Sequence, residues 1–260
     1  MNLAADCSRC VGLCCVAPAF VASSDFAFSK PAGVACRHLA ADASCSIHDR
    51  LIPSGFPGCV AYDCFGAGQR VVALFGGGGR SAEMLSAYDT VRQLHELLWY
   101  VADALSRPSA APVHGALAQA RSAIEAAVAG GPSSIEATDP AAHRATVAPL
   151  LRRASALTRA RGPEYRGADL VGRDLAGRDL AGADLSTASL IGTDLRGADL
   201  RRADLLAADL RGANLADADL TGALYLTRTQ VGSARGSAGT RLPDRLPRPA
   251  HWHPAASSAL

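Results

Sequence analysis

Cysteine is the residue type in this chain whose spacing could support chemistry. Eight cysteines lie within the first quarter of the 260 residues, and none occurs after them. The chain opens with the pattern C-x2-C-x3-C-C, and a C-x8-C pair and a C-x4-C pair follow. Thiolates two residues apart suit the binding of one tetrahedral ion or of one iron of a cluster. The predicted metal ligands are Cys7, Cys10, Cys14, Cys15, Cys36, Cys45, Cys59 and Cys64.

Zinc and an iron–sulfur cluster both accept thiolate ligands, and the sequence leaves the two near parity. Eight thiolates could complete two four-cysteine sites, or one cluster with thiols to spare. Apolar residues around Leu13 and Phe20 would shield a cluster from water, which favours iron–sulfur slightly. His38 and His48 could each replace a thiolate, although a surface or supporting role is the more common one for such a histidine.

Disulfide bonds are the alternative use of an even number of cysteines. Adjacent side chains such as Cys14 and Cys15 point apart, however, and rarely help to build a disulfide framework. Residues 11–22 resemble the apolar core of a signal peptide, but Asp6 precedes them where positive charge is typical. Cleavage near Ala22 would also remove four cysteines. We therefore expect a cytoplasmic protein, where reducing conditions keep thiols free.

The segment CSRCVGLCC, with the later C-x8-C-x-I-H and C-x4-C patterns, resembles the CxxCxxxCC cysteine-cluster family of zinc- or iron-chelating modules. Flagellin lysine methylases contain a related cluster. The resemblance covers about residues 7–64. It departs from the family at His48, where relatives often have tyrosine, and at the GFPG before Cys59, where they often have Arg-Pro. It implies a metal site for which redox or peptide-modifying chemistry would fit, and it leaves open whether the chain is an enzyme.

A strict five-residue repeat organises the chain beyond the cysteines. Leucine recurs every fifth residue from Leu170 to Leu220, eleven times in register, and Asp precedes it in nine cases. Neither a helix nor a strand keeps a five-spaced residue on one face. A chain that turns a corner every five residues keeps such a residue on one side. Leucine would then lie inside, glycine at the corners and alanine where backbones approach closely. The aspartates would then face outward or accept hydrogen bonds from turn amides.

This run resembles the pentapeptide repeat family, A-(D/N)-L-x-x, over about residues 166–222. The resemblance implies a right-handed quadrilateral β-helix with four repeats in each coil. Arg173 and Arg178 stand where the family has a small inward residue, so we expect the first coil to be distorted or capped by the preceding segment. Together with the cysteines, the repeat makes the chain similar to a group of actinobacterial pentapeptide repeat proteins with a cysteine-rich N-terminus.

Some long acidic members of that family mimic DNA and bind type II topoisomerases. Eleven repeats would form a shaft roughly 13 Å tall, the length of about four base pairs. Residues 163–222 carry 11 acidic side chains and 7 arginines, which is a weak field beside that of a duplex. We therefore expect a protein or peptide partner on the solenoid rather than nucleic acid. The chain's net charge of +2 and its lack of a long apolar run also argue against a membrane partner.

The regions between and after these features are predicted from periodicity and from helix-stop signals. Three helices are expected at about 81–105, 113–129 and 140–161, with the third helix and Tyr165 covering Leu170. Thr227 to Gln230 could form a capping box that opens a short helix. The tail is basic and Pro-rich, and Trp252 is its expected anchor. The predicted parts are a cysteine-rich metal module (1–66), a Gly-rich hinge (67–80), a helical connector (81–162), the β-helix (163–222), and a C-terminal cap and tail (223–260).

Two functions from different classes fit this organisation. In the first, a cytoplasmic metalloprotein holds an iron–sulfur cluster or zinc in the cysteine module and presents a protein or peptide partner on the solenoid, with redox or peptide-modifying activity. In the second, a non-enzymatic interaction or protection protein contains structural zinc, and its solenoid binds a target such as a type II topoisomerase. Redox-active iron or an open coordination position would favour the first. Pentapeptide relatives often dimerise through the C-terminal cap, and the sequence leaves the oligomeric state open.

Overall fold

A computed structural model describes residues 2–77, 79–159 and 161–252 of the chain. The chain divides into two compact units. The first comprises Met1–Ser106 and Ala111–Arg152, so it contains the predicted cysteine module and most of the predicted helical connector. The second comprises Arg107–Ala110 and Arg153–Leu260. Among the described residues, no helix combines the length and apolar character that crossing a bilayer requires.

The cysteine-bearing segment of the first unit consists of short turns. Its 3-10 helices are Cys7–Arg9, Leu13–Cys15 and His48–Arg50. The first begins after Asp6, whose carboxylate accepts a hydrogen bond from the Ser8 amide. The second begins after Gly12, whose left-handed φ of 74° suits glycine. Four phenylalanines pack together as the apolar part of this segment: Phe20, Phe26, Phe28 and Phe56.

Helices make up the rest of the first unit. They are α1 (Pro57–Ala61), α2 (Ala67–Leu74), α3 (Ala82–Leu105), α4 (Ala111–Ala129), α5 (Pro132–Glu136) and α6 (Pro140–Thr158), whose last residues belong to the second unit. α3 begins after Ser81, whose hydroxyl accepts a hydrogen bond from the Met84 amide at 3.2 Å. It packs against α2, α4 and α5 through a buried apolar face that includes Val91, Leu94 and Leu98. The three helices predicted from periodicity are therefore present.

The predicted hinge at 67–80 is wrong over its first half, because α2 occupies Ala67–Leu74. Val71 is fully buried in α2, and the guanidinium of Arg70 donates two hydrogen bonds to the Val128 carbonyl at 2.7 and 3.1 Å. These tertiary contacts hold a short helix that has little intrinsic stability of its own. Of the four consecutive glycines, Gly76, Gly77 and Gly79 adopt left-handed φ values, and Gly78 lies outside the described residues.

The five-residue repeat folds as the predicted solenoid. Residues 20 apart pair through single parallel bridges, as Asp174, Asp194 and Asn214 do, so each coil contains four repeats. Leucines from Leu180 to Leu220 are at most 2% exposed, and the alanines two residues before them line the same interior. Glycines at the corners adopt φ values between 63 and 70°. Aspartate side chains accept hydrogen bonds from the amide two residues later, as Asp169 does from Val171 at 3.2 Å. The predicted roles of leucine, alanine, glycine and aspartate are all confirmed.

The first coil differs from the expectation that its two arginines would distort it. Arg173 and Arg178 are exposed, and their amides still make the turn hydrogen bonds to Leu170 and Leu175 at 3.1 and 3.2 Å. The backbone therefore stays regular, since the arginine side chains point to solvent instead of entering the axis. The leucines of this coil are less buried than the later ones, because Leu170 and Leu175 are only half-buried.

That the helix preceding the solenoid covers Leu170 together with Tyr165 stays a prediction. Within the second unit, its last turns lie on a side face of the coils. Ser155 donates a hydrogen bond to the buried carboxylate of Asp204. Arg159 and Arg166 pair with the buried carboxylate of Asp184 at 3.4 and 2.6 Å. Asp184 and Asp204 are successive residues of one ladder, so this helix end covers one of the four faces.

The C-terminal cap follows the sequence prediction closely. The capping box between Thr227 and Gln230 is present, and it opens α7 (Arg228–Ser233). The Gln230 amide also donates to the Leu205 and Ala208 carbonyls at 2.7 and 3.0 Å, which satisfies backbone groups at the end of the solenoid. Trp252 is 3% exposed and donates from its indole nitrogen to the Ala234 carbonyl at 2.9 Å. The tail continues the coils, because Arg235 and Arg241 form parallel bridges with Asn214 and Asp219, which lie 21 and 22 residues before them instead of 20.

Candidate metal centre

All eight cysteines are free thiols. We describe them as two groups of four that meet at Cys14 and Cys15, although Cys15 is also a neighbour of Cys7 in the first group. The first group is Cys7, Cys10, Cys14 and Cys64. The second group is Cys15, Cys36, Cys45 and Cys59. Six of the thiols are half-buried, whereas one member of each group, Cys7 and Cys59, is exposed.

The first group is assembled where the N-terminal turn lies against α2. The amide of Cys10 donates to the Cys7 carbonyl at 3.2 Å, which closes the turn that carries both thiols. The Cys10 sulfur lies so close to Gly68 that a Cβ there would be only 2.6 Å away. Cys64 directly precedes α2, since its carbonyl accepts a hydrogen bond from the Ala67 amide at 2.9 Å. Glycine at position 68 therefore lets the Cys7–Cys10 turn approach Cys64.

Gln69 fixes this approach from the next position of α2. Its side-chain nitrogen donates to the Ala4 carbonyl at 2.8 Å, and its side-chain oxygen accepts from the Asp6 amide at 3.2 Å. One glutamine thus joins α2 to the segment before Cys7 by two hydrogen bonds. Sequence reasoning did not single out Gln69, because a lone glutamine in a short helix carries no visible signal.

The second group is assembled around a small hairpin. The Cys36 amide donates to the Cys15 carbonyl at 2.9 Å, which places the hairpin beside the Leu13–Cys15 turn. Cys45 lies on the returning arm, where it pairs with Leu39 in an antiparallel bridge. Cys59 lies in α1, and its amide donates to the Phe56 carbonyl at 3.0 Å. The Phe56 ring contacts the His38 ring of the hairpin at 5.3 Å, so α1 and the hairpin share one apolar contact.

Cys14 and Cys15 are the point where the two groups meet. Their sulfur atoms are 4.0 Å apart. The hydrogen bond between them raises the pKa of Cys14, which burial raises further, and lowers the pKa of Cys15. Lys30 and Arg80 add to the lowering at Cys15. Of these two thiols, Cys15 is therefore the one that ionises first.

The donor set meets one requirement of a metal site, the type of ligand, but within the described residues it does not meet the other, their convergence on one point. Reduced, half-buried thiols in fours are the ligands that zinc and iron–sulfur clusters take. In residues 2–77, 79–159 and 161–252, however, no set of three or more His, Cys, Asp or Glu side chains converges on one point as a bound ion requires. The chemistry of the donors thus fits a metal, and binding would have to draw the four thiols of a group together.

Lys30 is the feature of this region that the sequence prediction missed. It is the only lysine in a chain that contains 25 arginines, which is a signal that could have drawn attention to it. Its side chain is 4% exposed, and its ammonium donates to the carbonyls of Val16, Pro31 and Val34 at 3.0, 3.0 and 2.8 Å. Burial lowers the pKa of Lys30, whereas Cys36 and Cys15 of the second group raise it.

The first group lies in the opposite electrostatic environment. Burial and neighbouring thiols raise the pKa of Cys7, and the Asp6 carboxylate raises it further. Burial also raises the pKa of Cys64, to which Asp63 adds its negative charge. Tyr62 and Tyr88 share a hydrogen bond of 2.8 Å between their hydroxyls, and Cys14 and Cys64 contribute to the raised pKa of both, after the larger effect of burial. The two groups thus differ in the charge that surrounds them.

The two histidines occupy different settings. The His38 ring packs between Phe28 and Phe56 at centroid distances of 5.9 and 5.3 Å, and its backbone amide approaches the Cys36 sulfur at 3.5 Å. His48 is exposed at the start of the His48–Arg50 turn. The packing of His38 matches a supporting role beside the second group, and ligation by either histidine stays a prediction.

Comparison with known proteins identifies the family through the repeats. The model of the pentapeptide repeats matches eight copies over residues 168–205 and 188–224. The chain is a pentapeptide repeat protein. It is also 47% identical over 265 residues to the uncharacterized protein YybG of Bacillus subtilis, covering 96% of this chain and 95% of that one, and it belongs to the same family.

Solved structures resemble the chain over about a third of its length. The pentapeptide repeat protein alr5209 from Nostoc is 35% identical over 36% of this chain and 80% of its own, with a TM-score of 0.21. Rfr23 from Cyanothece is 30% identical over 33% of this chain and 68% of its own, with a TM-score of 0.20. QnrB1, a plasmid-mediated fluoroquinolone resistance protein, is 18% identical over 31% of this chain and 48% of its own, with a TM-score of 0.16.

Proposed function

We propose that this pentapeptide repeat protein binds a metal, either zinc or an iron–sulfur cluster, through the cysteines between Cys7 and Cys64. The observation that supports the proposal is that eight free thiols, taken from separate segments of the sequence, lie near enough to one another to affect one another's pKa. Thiols crowded in this way raise one another's pKa, because neighbouring thiolates repel. A bound cation removes that repulsion. Metal binding therefore accounts for the crowding of these thiols, whereas a structural role in packing does not.

The local structure around the thiols also supports metal binding. The turns Cys7–Arg9 and Leu13–Cys15 each contain only three residues, and two of the thiols are exposed. Turns of this length have little stability alone. In small modules of this kind, metal binding commonly supplies folding free energy. Zinc held by four thiolates would be structural, whereas a cluster would supply one-electron redox chemistry.

We further propose that the solenoid binds a protein or peptide partner. Three of its exposed arginines, Arg196, Arg201 and Arg211, are paired with the aspartates two residues before them at 2.6, 2.5 and 2.6 Å. Local pairing of this kind leaves a weak long-range field. It favours a partner recognised by short-range contacts, as in the alternative of an interaction or protection protein with structural zinc, over mimicry of a DNA duplex.

Metal analysis of the purified full-length chain tests the central proposal. The chain would be purified without oxygen, and its visible absorption, iron, sulfide and zinc would be measured for each protein molecule. Brown protein with matching iron and sulfide identifies a cluster, and colourless protein with bound zinc identifies a structural module. Ser46→Ala, which lies next to Cys45 and changes no thiol, is the matched control and should retain the wild-type metal content. Wild-type protein without metal would overturn the proposal.

A further inference from the structure

We propose that the N-terminal end of the solenoid is an interface at which two copies of this chain meet, first coil against first coil. The first coil, residues 163–182, presents an open backbone edge, whereas the chain itself closes the C-terminal end. The inference concerns the end of the solenoid and not its side faces. It does not depend on the metal binding or on the partner proposed above.

The open edge consists of backbone groups that the later coils use for pairing. In the second coil, the Asp194 amide donates to the Arg173 carbonyl at 2.9 Å, and the Asp194 carbonyl accepts from the Leu175 amide at 2.8 Å. Both backbone groups of Asp194 therefore point toward the N-terminal end. Within residues 2–77, 79–159 and 161–252, their counterparts in the first coil form no hydrogen bond. These counterparts are the amides and carbonyls of Asp169, Asp174 and Asp179.

The C-terminal end of the solenoid is closed by the cap. The four alanine carbonyls of the last coil that point toward this end all accept hydrogen bonds. Their donors, at 2.8–3.0 Å, are the amides of Leu224, Arg235 and Arg241 and the side chain of Gln230. A head-to-tail stack of copies would have to displace this cap. The arrangement that uses only the open edge is therefore head to head.

A second copy fits the open edge better than an extended peptide does. Each face presents one such aspartate before the chain turns a corner, so a peptide could pair with a single face, whereas a second first coil has the same shape and can pair with three. A two-fold axis perpendicular to the solenoid makes the two first coils antiparallel. In antiparallel pairing, a residue whose amide and carbonyl both face the partner exchanges two hydrogen bonds with the residue opposite. The half-buried Leu170 and Leu175 would also gain burial.

The charges of the first coil complement themselves. Arg173 and Arg178 are exposed, and their guanidinium groups form no hydrogen bond or salt bridge with any described residue. The carboxylates of the three edge aspartates also form no salt bridge in the part of the chain that the structure describes. In a later coil, by contrast, Arg201 pairs with Asp199. Two first coils placed end to end bring the unpaired arginines of each copy to the unpaired aspartates of the other, as an interface with two-fold symmetry requires.

Variants matched in charge test the inference in the full-length chain. Sedimentation velocity from micromolar to millimolar concentration should show a monomer–dimer equilibrium of the wild type without larger species. Arg173→Glu combined with Arg178→Glu should weaken dimerisation by at least about tenfold, because only acidic side chains then remain unpaired at the end. Arg152→Glu combined with Arg202→Glu, which reverses two exposed arginines elsewhere, should leave dimerisation unchanged. A wild type that stays monomeric or forms larger stacks, or a dimer that both pairs of substitutions affect equally, would overturn the proposal.

Amide exchange of the unmodified chain, resolved by residue with NMR, guards against variants that fail to fold. The Asp174 amide should exchange freely in dilute solution and become protected at least about tenfold where the dimer forms. The Asp194 amide, which is paired within the chain, is the internal control and should stay protected throughout. Protection of Asp174 at every concentration would show that a segment of the same chain covers the end, and a dimer in which Asp174 exchanges freely would show another interface. Either result would overturn the proposal.

Discussion

The solenoid and the cysteine module are held together in different ways. In the solenoid, the leucines from Leu180 to Leu220 are almost fully buried, and each coil pairs with the next through regularly repeated backbone hydrogen bonds. In the cysteine module, short turns carry eight free thiols, two of which are exposed. One region is therefore built around a continuous row of buried leucines, whereas the other is built of short turns that carry free thiols. The difference predicts that the two regions respond to different perturbations.

Metal removal should separate the two regions most strongly. Binding of structural zinc contributes about 10–16 kcal/mol in small modules, so a proposed site that loses its metal should lose its fold. We expect the amides of Cys10, Val16 and Cys36 to exchange hydrogen much faster after demetallation under reducing conditions. The amides of Leu195 and Leu200, which bond between coils, should keep their protection. Hydrogen exchange followed by mass spectrometry measures both regions in one sample.

The control for this experiment is metal restored to the same sample, which should return protection to the module alone. Equal loss of protection in the module and the solenoid would show that the comparison is wrong. Unchanged exchange in the module would show that its turns are stable without metal.

Truncation of a buried leucine should destabilise the solenoid and leave the cysteine module unchanged, the reverse of metal removal. Leu175 and Leu195 lie 20 residues apart on the same face, but Leu195 is fully buried and Leu175 is only half-buried. Leu195→Ala should reduce the local free energy of unfolding by about 2–5 kcal/mol, because it creates a cavity. Leu175→Ala, the matched control, should cost clearly less. Hydrogen exchange at Leu200 reports the change, and equal costs at the two positions would contradict the difference in burial between Leu175 and Leu195.

The solenoid could be predicted from sequence because its interactions are local and repeated. A five-residue period with Asp before nine of the eleven leucines determines which side chains enter the axis and which amides the aspartates accept from. The capping box at Thr227 was predictable for the same reason, since its two partners are three residues apart. The behaviour of Arg173 was not predictable, because the turn accommodates an outward arginine without any change of its hydrogen bonds.

The organisation of the cysteines was only partly predictable. The spacing identified the eight thiols as a module, but their division depends on contacts between distant residues, such as Gln69 with Ala4 and Cys36 with Cys15. No short pattern encodes these pairs. The helix α2 was missed because Val71 and Arg70 obtain their stabilising contacts from elsewhere in the first unit. Lys30 could have been noticed by its rarity, whereas its three carbonyl partners could not.

Replacement of Lys30 should change metal release from the second cysteine group more than from the first. The buried ammonium of Lys30 lowers the pKa of Cys15, so it would offset the net negative charge of a metal ion held by the thiolates of the second group. Lys30→Met should therefore speed chelator removal of metal from the second group by about tenfold, which corresponds to about 1.4 kcal/mol. Alkylation of Cys45 and Cys59, compared with that of Cys7 and Cys64, measures the effect.

Arg37→Met is the matched control for Lys30→Met. It removes one positive charge from the same segment, but Arg37 is exposed and stacks on Phe28 at 3.9 Å. We expect it to leave the order of metal release unchanged. If both variants released metal from both groups at the same rate, a specific role for Lys30 would be excluded.

The smallest expected effect is a difference in stability between variants of Asp184 and Asp204, two aspartates on one ladder of the solenoid. Burial opposes the charge of Asp184, yet hydrogen bonds from Ser186 and the charges of Arg159 and Arg166 hold its pKa below the usual range. Burial raises the pKa of Asp204, and the hydrogen bond from Ser155 offsets this only in part. Asp184→Asn should therefore destabilise the second unit by about 1–2 kcal/mol at pH 7. Asp204→Asn should be close to neutral, because it removes a buried charge.

The pH dependence of these two variants has opposite signs. The contribution of Asp184 is present above the pKa of an unfolded aspartate and is lost as the pH falls through its lower folded value, so Asp184→Asn should approach wild-type stability in acid. Asp204 favours folding in its protonated form, a contribution that is present below the unfolded pKa and is lost as the pH rises through the higher folded value. Asp204→Asn should therefore gain on wild type as the pH rises from about 4 to 7. Both trends can be measured by hydrogen exchange of the solenoid amides across this pH range, corrected for intrinsic exchange rates. Parallel trends for the two variants would contradict the opposite pKa shifts assigned to Asp184 and Asp204.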